Sequence, residues 1–203
     1  LQDEIISSTL VYMYGNCCLL SEAHELFSKM EDQDLVSWTS LIVGYCENGL
    51  SSETVMSCFH NMLSKGVCPD AFSIASTLKC CIDSRFKRFG QLLHMLVFKF
   101  GYENDGFIAN TLVEMYGKYG LLADARQTFE KLLVRDVIAW SVMITSYVEK
   151  GEHTKAFSSY AQMQDQGVSP DSMTFLGILK ACSDMGTLQI GREIHTHLWK
   201  VGF

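Results

Sequence analysis

Apolar residues recur at helical spacing along most of the chain, and short polar or glycine-containing breaks separate the runs. In residues 7–15 the apolar positions are Leu10, Val11, Met13 and Tyr14, and in residues 21–30 they are Ala23, Leu26, Phe27 and Met30. Residues three and four apart lie on one face of a helix. The pattern therefore predicts two amphipathic helices with a short break between them, that is, a helical hairpin.

The sequence repeats itself after about a hundred residues. TLVYMYGNCCLLSEAHELFSK at 9–29 aligns with TLVEMYGKYGLLADARQTFEK at 111–131, an offset of 102 residues. Further along, GVCPD at 66–70 aligns with GVSPD at 167–171, where the offset has fallen to 101. The first copy therefore contains one extra residue.

Each copy divides into three repeats, which share a helix, a glycine or polar break, a second helix and a turn that ends in aspartate. Cutting after each aspartate gives repeats 4–34, 35–70, 71–105, 106–136 and 137–171, and an incomplete repeat 172–203. A lone hairpin of this length cannot bury both apolar faces, so neighbouring hairpins must stack. The predicted fold is all-α, a single α-solenoid array over residues 1–203. Because neither end has a recognisable polar capping helix, we expect a longer array.

Composition and charge restrict the classes of function. A hydrophobic content of 48% excludes a disordered chain. The 16 basic and 23 acidic residues argue against a protein that holds nucleic acid through a general positive field. The acidity is local, because residues 1–70 hold 2 basic and 10 acidic side chains. No apolar stretch reaches the roughly 18 residues that span a bilayer, so we expect no membrane partner.

Residues with catalytic or metal-binding chemistry are sparse. The eight cysteines include no C-x-x-C, so we expect reduced, buried thiols rather than disulfides or a zinc site. His195 and His197 lack the spacing of a metalloprotease or a Cys/His zinc site. No phosphate-binding glycine loop or nucleophile elbow is present. We predict no catalytic residues, no metal, no cofactor and no enzymatic activity within this chain.

The ends and starts of the repeats resemble a known family. Repeats 4–34 and 106–136 are short, 35–70 and 137–171 contain VSWTSLIVGY…KGVCPD and IAWSVMITSY…QGVSPD, and 71–105 and 172–203 contain LKCC…HMLVFKFGY and LKAC…IHTHLWKVGF. The repeat lengths alternate between 31, 35 or 36, and 35 residues, which differs from the 34-residue tetratricopeptide repeat. This pattern resembles the P-L-S subclass of the plant pentatricopeptide repeat (PPR) family, with the repeats in the order S-P-L-S-P-L. The resemblance implies a right-handed superhelix of helix-turn-helix repeats and a location in the mitochondrion or chloroplast.

The resemblance also implies sequence-specific binding of single-stranded RNA, with one base per repeat. In this family the fifth and the last residue of a repeat together select the base. The pairs here are Ser8 with Asp34, Thr39 with Asp70, Ala75 with Asp105, Asn110 with Asp136, and Ser141 with Asp171. In the incomplete repeat the fifth residue is Leu176.

The chemistry of these pairs predicts a target. An ionised carboxylate only accepts hydrogen bonds, so Asp favours guanine and uracil, whose Watson–Crick edges offer N–H donors. A short Ser or Thr hydroxyl leaves room for a purine, whereas an Asn amide reaches a pyrimidine, and the family's preferences agree. The predicted target is 5′-GGnUGn-3′, where the L repeats stay open because Ala75 and Leu176 carry no polar atom.

The second residue of every repeat is apolar. These residues are Ile5, Val36, Phe72, Phe107, Ile138 and Met173. In the family this residue stacks on a base, and Phe72 and Phe107 would be the best platforms. Two structural explanations compete with RNA recognition: each Asp precedes a helix that it could cap, and the second residues could form the core between repeats.

The resemblance implies a biological role as well. Such an array would specify a site for organellar cytidine-to-uridine RNA editing, with any deaminase outside this chain and small organellar editing cofactor proteins docked on the L repeats. Lys118 matches a lysine that meets RNA phosphate in related arrays. The alternative function is a helical protein-interaction scaffold without RNA readout. The Asp at the end of every complete repeat favours RNA, because a peptide groove has no reason to place it there.

Overall fold

A computed structural model describes residues 4–82 and 86–201, and the regular elements in these ranges are α-helices. The helices are α1 Glu4–Asn16, α2 Leu20–Lys29, α3 Leu35–Glu47, α4 Ser52–Ser64, α5 Ala71–Cys80, α6 Lys87–Phe100, α7 Gly106–Lys118, α8 Leu122–Lys131, α9 Val137–Glu149, α10 His153–Asp165, α11 Ser172–Met185 and α12 Leu188–Val201. Each of the six sequence repeats therefore holds one odd-numbered and one even-numbered helix. None of the helices in the described ranges is long and apolar enough to cross a lipid bilayer.

The aspartates at the repeat ends explain where the odd-numbered helices begin. Asp34, Asp70, Asp136 and Asp171 occupy the N-cap positions of α3, α5, α9 and α11 with extended backbone angles. In each case the side chain accepts a hydrogen bond from the backbone N–H three residues later. This satisfies one of the amide donors that the first turn of a helix leaves unpaired.

The chain forms two compact units, Leu1–Thr111 and Leu112–Phe203. In the first unit α1 packs against α3 and α3 against α5, while α2, α4 and α6 each pack against the helix that precedes them. Gly15 and Gly44 bring α1 and α3 together, because a Cβ at Gly44 would lie only 3.1 Å from the Gly15 Cα. In the second unit α9 packs against α11, and α10 and α12 pack against the helices that precede them, α9 and α11.

Large aromatic side chains hold the hairpins together in both units. Trp38 on α3 is buried and meets Phe27 of α2 edge to face, with ring centroids 4.6 Å apart. In the second unit Trp140 and Phe129 make the same contact at 4.7 Å. Such aromatic pairs add to the stability from burial alone. The repeat in the sequence is therefore also a repeat in side-chain packing.

The expectation that all the cysteines are buried is wrong in part. All eight thiols are free, but Cys17, Cys18 and Cys68 are exposed. They lie in the turns that follow α1 and α4, where the backbone has left the packed layer of helices. Cys58, by contrast, is buried within α4, and this burial raises the pKa of its thiol to about 12.

Candidate nucleic-acid interface

The apolar second residues of the repeats lie on the surface of the protein. Their exposed fractions are 79% for Ile5, 60% for Val36, 71% for Phe72, 63% for Phe107, 55% for Ile138 and 57% for Met173. Each stands in the first turn of its helix, one residue after the helix begins. Their exposure rules out the explanation that these residues form the core between repeats. Large apolar side chains thus recur at equivalent exposed positions of the repeats.

The fifth residues lie one turn further along the same helices, and in the five complete repeats they are buried or half-buried. Ser8, Thr39, Ala75 and Ser141 are buried, and Asn110 is half-buried. Three residues separate the second position from the fifth, so the two share one face of the helix. The exposed apolar side chain and the buried fifth residue are therefore neighbours.

A cleft in the first unit brings together one complete set of predicted residues. Thr39 and Asp70 line this cleft, and Val36 and Phe72 stand beside them. Tyr12 and Ser76 also contribute to the walls. The apolar side chains come from α3 and α5, two helices that pack against each other. A flat ring that entered between them would meet Thr39 and Asp70 with its edge.

The second unit contains an equivalent cleft. Ser141 and Asp171 line it, together with Ile138 and Met173 from α9 and α11. Three charged side chains also line this cleft, namely Glu114, Lys118 and Glu149. The two clefts have the same arrangement of second, fifth and last residues, although they lie in different compact units.

Hydrogen bonds join the fifth and last residues of the repeats at 4–34 and 137–171. The Ser8 hydroxyl lies 3.4 Å from Asp34 Oδ1, and the Ser141 hydroxyl lies 2.8 Å from Asp171 Oδ1. The Thr39 hydroxyl instead donates to the Leu35 carbonyl oxygen at 2.8 Å.

The remaining predicted positions are Ala75 with Asp105, Asn110 with Asp136, and Leu176. Ala75 has no polar side-chain atom, and its partner Asp105 caps α7 by accepting from the Ile108 N–H at 2.9 Å. Asn110 and Asp136 fall in different compact units. Leu176 is exposed, with 63% of its surface accessible. The last repeat therefore presents an apolar fifth side chain to solvent.

Helix capping engages one carboxylate oxygen of each of these aspartates. The capping bonds of Asp34, Asp70, Asp136 and Asp171 all reach Oδ1, at 2.7 to 2.8 Å. A carboxylate has a second oxygen with its own lone pairs. The capping explanation is therefore correct for these four aspartates.

The Asp171 carboxylate accepts three hydrogen bonds at Oδ1. Partial burial raises its pKa, but hydrogen bonds from the Thr174 N–H, the Thr174 hydroxyl and the Ser141 hydroxyl outweigh this effect, and the pKa lies below its ordinary value. Bonds that favour the charged form act in this direction. The carboxylate is therefore held as an anion.

Two features of the second cleft were not evident from sequence patterns. Thr174, the third residue of the last repeat, donates to Asp171 although it belongs to no recognised pair. The signal was a hydroxyl three residues after the aspartate, which Ser37 and Ser73 share. Lys118 meets Glu149 at 2.7 Å, so this lysine is already paired with an anion. Among the described residues, no cluster of His, Cys, Asp or Glu is placed to hold a metal ion.

Comparison with known proteins identifies the repeats. The PPR repeat family model matches residues 33–83 and 135–184, and the PPR repeat model matches residues 5–35 and 107–137. A pentatricopeptide repeat-containing protein of Arabidopsis thaliana is 37% identical over 98% of this chain and 27% of its own length. A chloroplastic pentatricopeptide repeat-containing protein of the same plant is 34% identical over 96% of this chain and 23% of its own length. A mitochondrial one is 34% identical over 97% of this chain and 19% of its own length. The chain thus spans about a fifth to a quarter of these relatives.

Solved structures show the same fold. The pentatricopeptide repeat protein PPR10 from maize superposes with a TM-score of 0.75 at 19% identity, over 97% of this chain and 29% of that one. PPR10 in complex with an 18-nt psaJ RNA element gives a TM-score of 0.70 at 18% identity, over 97% of this chain and 33% of that one. The prediction of an all-α helical-repeat solenoid is confirmed.

Proposed function

Because the chain belongs to the pentatricopeptide repeat family, we propose that it binds single-stranded RNA and reads one base in each cleft. The base would lie between the second residues of neighbouring repeats, with its edge toward the fifth and last residues. The observation that carries this proposal is the exposure of six apolar second residues, since stacking on bases gives them a reason to be apolar. The PPR10 complex with RNA supports the proposal from a protein of the same fold.

The two clefts support guanine as the base at the second and fifth nucleotides. Asp70 and Asp171 each have one oxygen engaged in capping, and both carboxylates line their clefts. The Watson–Crick edge of guanine offers an N–H and an amino group, which suit a carboxylate acceptor. With the predicted preferences of the other pairs, the proposed target is 5′-GGnUGn-3′.

The wider role that we propose is to mark a site for organellar cytidine-to-uridine editing. The order S-P-L-S-P-L supports a place in the P-L-S subclass, and relatives named as chloroplastic and mitochondrial support an organellar location. The L repeat at 71–105 would dock a small editing cofactor protein. On its second helix, α6, Leu92, Met95 and Phe98 are exposed, and such a partner could cover them. The chain spans only part of its relatives, so any deaminase would belong to the rest of the protein or to a partner.

A panel of short RNAs tests base reading directly. Fluorescence anisotropy with the 203-residue chain should give the tightest binding for an RNA that contains GGAUGA. Replacing the fourth or fifth nucleotide should weaken binding by about tenfold, which corresponds to about 1.4 kcal/mol. Equal affinities for the target and for its scrambled versions would overturn the proposal and favour the alternative of a protein-interaction scaffold.

A further inference from the structure

The Ser141 and Asp171 pair has a third member, Thr174, which belongs to the following repeat. Thr174 is fully buried. Its hydroxyl lies 2.7 Å from Asp171 Oδ1 and 2.7 Å from the Ser141 hydroxyl oxygen. Its backbone N–H also donates to Asp171 Oδ1 at 2.8 Å. Three side chains thus form one cluster at the base of the second cleft.

The equivalent residues in the other repeats are placed differently. The Ser37 hydroxyl donates to the backbone oxygen of Asp34 at 2.9 Å, and the Ser73 hydroxyl donates to the backbone oxygen of Asp70 at 2.9 Å. In these repeats the hydroxyl of the third residue therefore contacts the main chain of the aspartate, and only its backbone N–H reaches the carboxylate. In the repeats that begin at 106 and 137, the third residues are Ile108 and Ala139, which carry no hydroxyl.

Counting hydroxyl protons shows what the cluster can offer to a base. Ser141 and Thr174 have one hydroxyl proton each. The acceptors near these hydroxyls are Asp171 Oδ1 and the Val137 carbonyl oxygen, which lies 2.7 Å from the Ser141 hydroxyl. Each hydroxyl oxygen can also accept from the other. In every arrangement both protons are used inside the cluster. What remains for a base is the second carboxylate oxygen and the hydroxyl lone pairs, all of which are acceptors.

We propose that Thr174 is a specificity-determining residue of this site, which orients Asp171 and Ser141 so that the cleft presents only hydrogen-bond acceptors. This inference rests on the proposed function. Guanine has two donor groups side by side on its Watson–Crick edge, whereas uracil has one N–H between two carbonyl oxygens. A cluster made only of acceptors repels those carbonyl oxygens, so Thr174 strengthens the preference for guanine over uracil at the fifth nucleotide.

The charged groups near the cluster do not change the proposed role of Thr174. Glu114 and Lys118 on α7 and Glu149 on α9 line the same cleft, and Lys118 neutralises Glu149 at 2.7 Å. Two further helices, α10 and α12, pack against α11. Two histidines of these helices are engaged away from the cluster: His153 lies 3.9 Å from Asp184 at the far end of α11, and His197 Nδ1 lies 2.8 Å from the Tyr160 hydroxyl. The hydrogen bonds of the cluster, together with burial, therefore govern the pKa of Asp171.

The test is the substitution Thr174→Val, which keeps the shape of the side chain and removes the hydroxyl. Carbon-detected NMR titration of the Asp171 carboxyl, without RNA, should show its pKa rising toward the ordinary value. The preference for guanine over uracil at the fifth nucleotide should fall by about tenfold. Thr174→Ser should retain most of both properties. Ser37→Val is the matched control, because the Ser37 hydroxyl contacts a backbone oxygen, and it should leave the fifth nucleotide unaffected.

The two readouts separate this inference from the proposed function. An unchanged pKa of Asp171 in Thr174→Val, with the fold intact by circular dichroism, would overturn the role of Thr174. An unchanged guanine preference in that variant would overturn it too. Equal affinity of the parent chain for all four bases would instead overturn base reading, while the NMR titration would still report whether Thr174 orients the carboxylate.

Discussion

At the scale of single residues, exposure separates the apolar side chains that build the protein from those that face solvent. Phe59 and Phe72 are both phenylalanines of the first unit, yet Phe59 is 2% exposed and Phe72 is 71% exposed. The first packs against Phe89, whereas the second lines a cleft. A residue of the second kind can be removed at little cost in stability, so its function can be measured separately.

Phe72→Ala should therefore weaken RNA binding while leaving the fold unchanged. The loss of a stacking platform costs about 1–3 kcal/mol of binding free energy, which corresponds to a rise in Kd of about 5-fold to 150-fold. Met95→Ala is a suitable control, because Met95 is 69% exposed but lies on α6, outside the cleft. Titrations of both variants with the same RNA should show a loss only for Phe72→Ala, and an equal loss for both would contradict the stacking role.

Exchanging the fifth residues tests which base each repeat reads. Ser141→Asn should move the preference at the fifth nucleotide from guanine toward uracil, because the longer amide reaches a pyrimidine and supplies a donor for its carbonyl oxygen. Asn110→Ser should move the fourth nucleotide in the opposite direction. The measurement is the ratio of affinities for RNAs that differ only at those nucleotides. Retained guanine preference in Ser141→Asn would contradict the assignment of the fifth residue and leave the fold untouched.

At the scale of helices, local chemistry was predictable and contacts between helices were not. An aspartate that precedes an apolar run indicates a helix N-cap, and the capping hydrogen bond involves only the next three residues. The starts of α3, α5, α9 and α11 can therefore be predicted from the sequence. The exposure of Val36 and the burial of Ser141 depend on how closely neighbouring helices approach, which no local pattern contains. The same holds for Thr174, whose contact with Ser141 joins residues 33 positions apart.

The proposed role of Asp70 in base recognition, beside its capping of α5, gives a prediction. Asp70→Asn should keep the stability of the protein, because Asn is as good an N-cap as Asp, but it should weaken guanine recognition by replacing an acceptor oxygen with a donor amide. Asp70→Ala should lose both the cap, at a cost of about 1 kcal/mol in unfolding free energy, and recognition. Urea denaturation and RNA titration measure the two effects. An Asp70→Asn variant with unchanged base preference would show that Asp70 only caps the helix.

The contact between α1 and α3 gives a prediction about stability alone. Ala normally stabilises a helix interior over Gly by about 1 kcal/mol. Gly44→Ala should do the opposite, because its Cβ would lie 3.1 Å from the backbone of Gly15 and the helices would have to separate. Gly106→Ala at the start of α7 is the control, since nothing lies within 4 Å of the added carbon. Urea midpoints should fall for Gly44→Ala and hold or rise for Gly106→Ala.

At the scale of the whole molecule, charge determines how strongly RNA binding depends on salt. The chain carries 16 basic and 23 acidic residues, and Lys118, which was expected to meet phosphate, is paired with Glu149. Each phosphate neutralised by a lysine or arginine adds about −0.7 to the slope of log affinity against log salt for a single strand. We therefore expect binding to rely on stacking and base edges, with a slope between about −0.7 and −1.4. Affinities for the target RNA between 50 and 300 mM potassium chloride measure this slope, and a slope steeper than about −3 would show that phosphate contacts dominate despite the net charge of −7.

Glu149→Gln should steepen the slope by up to about 0.7, because it would release Lys118 to meet a phosphate.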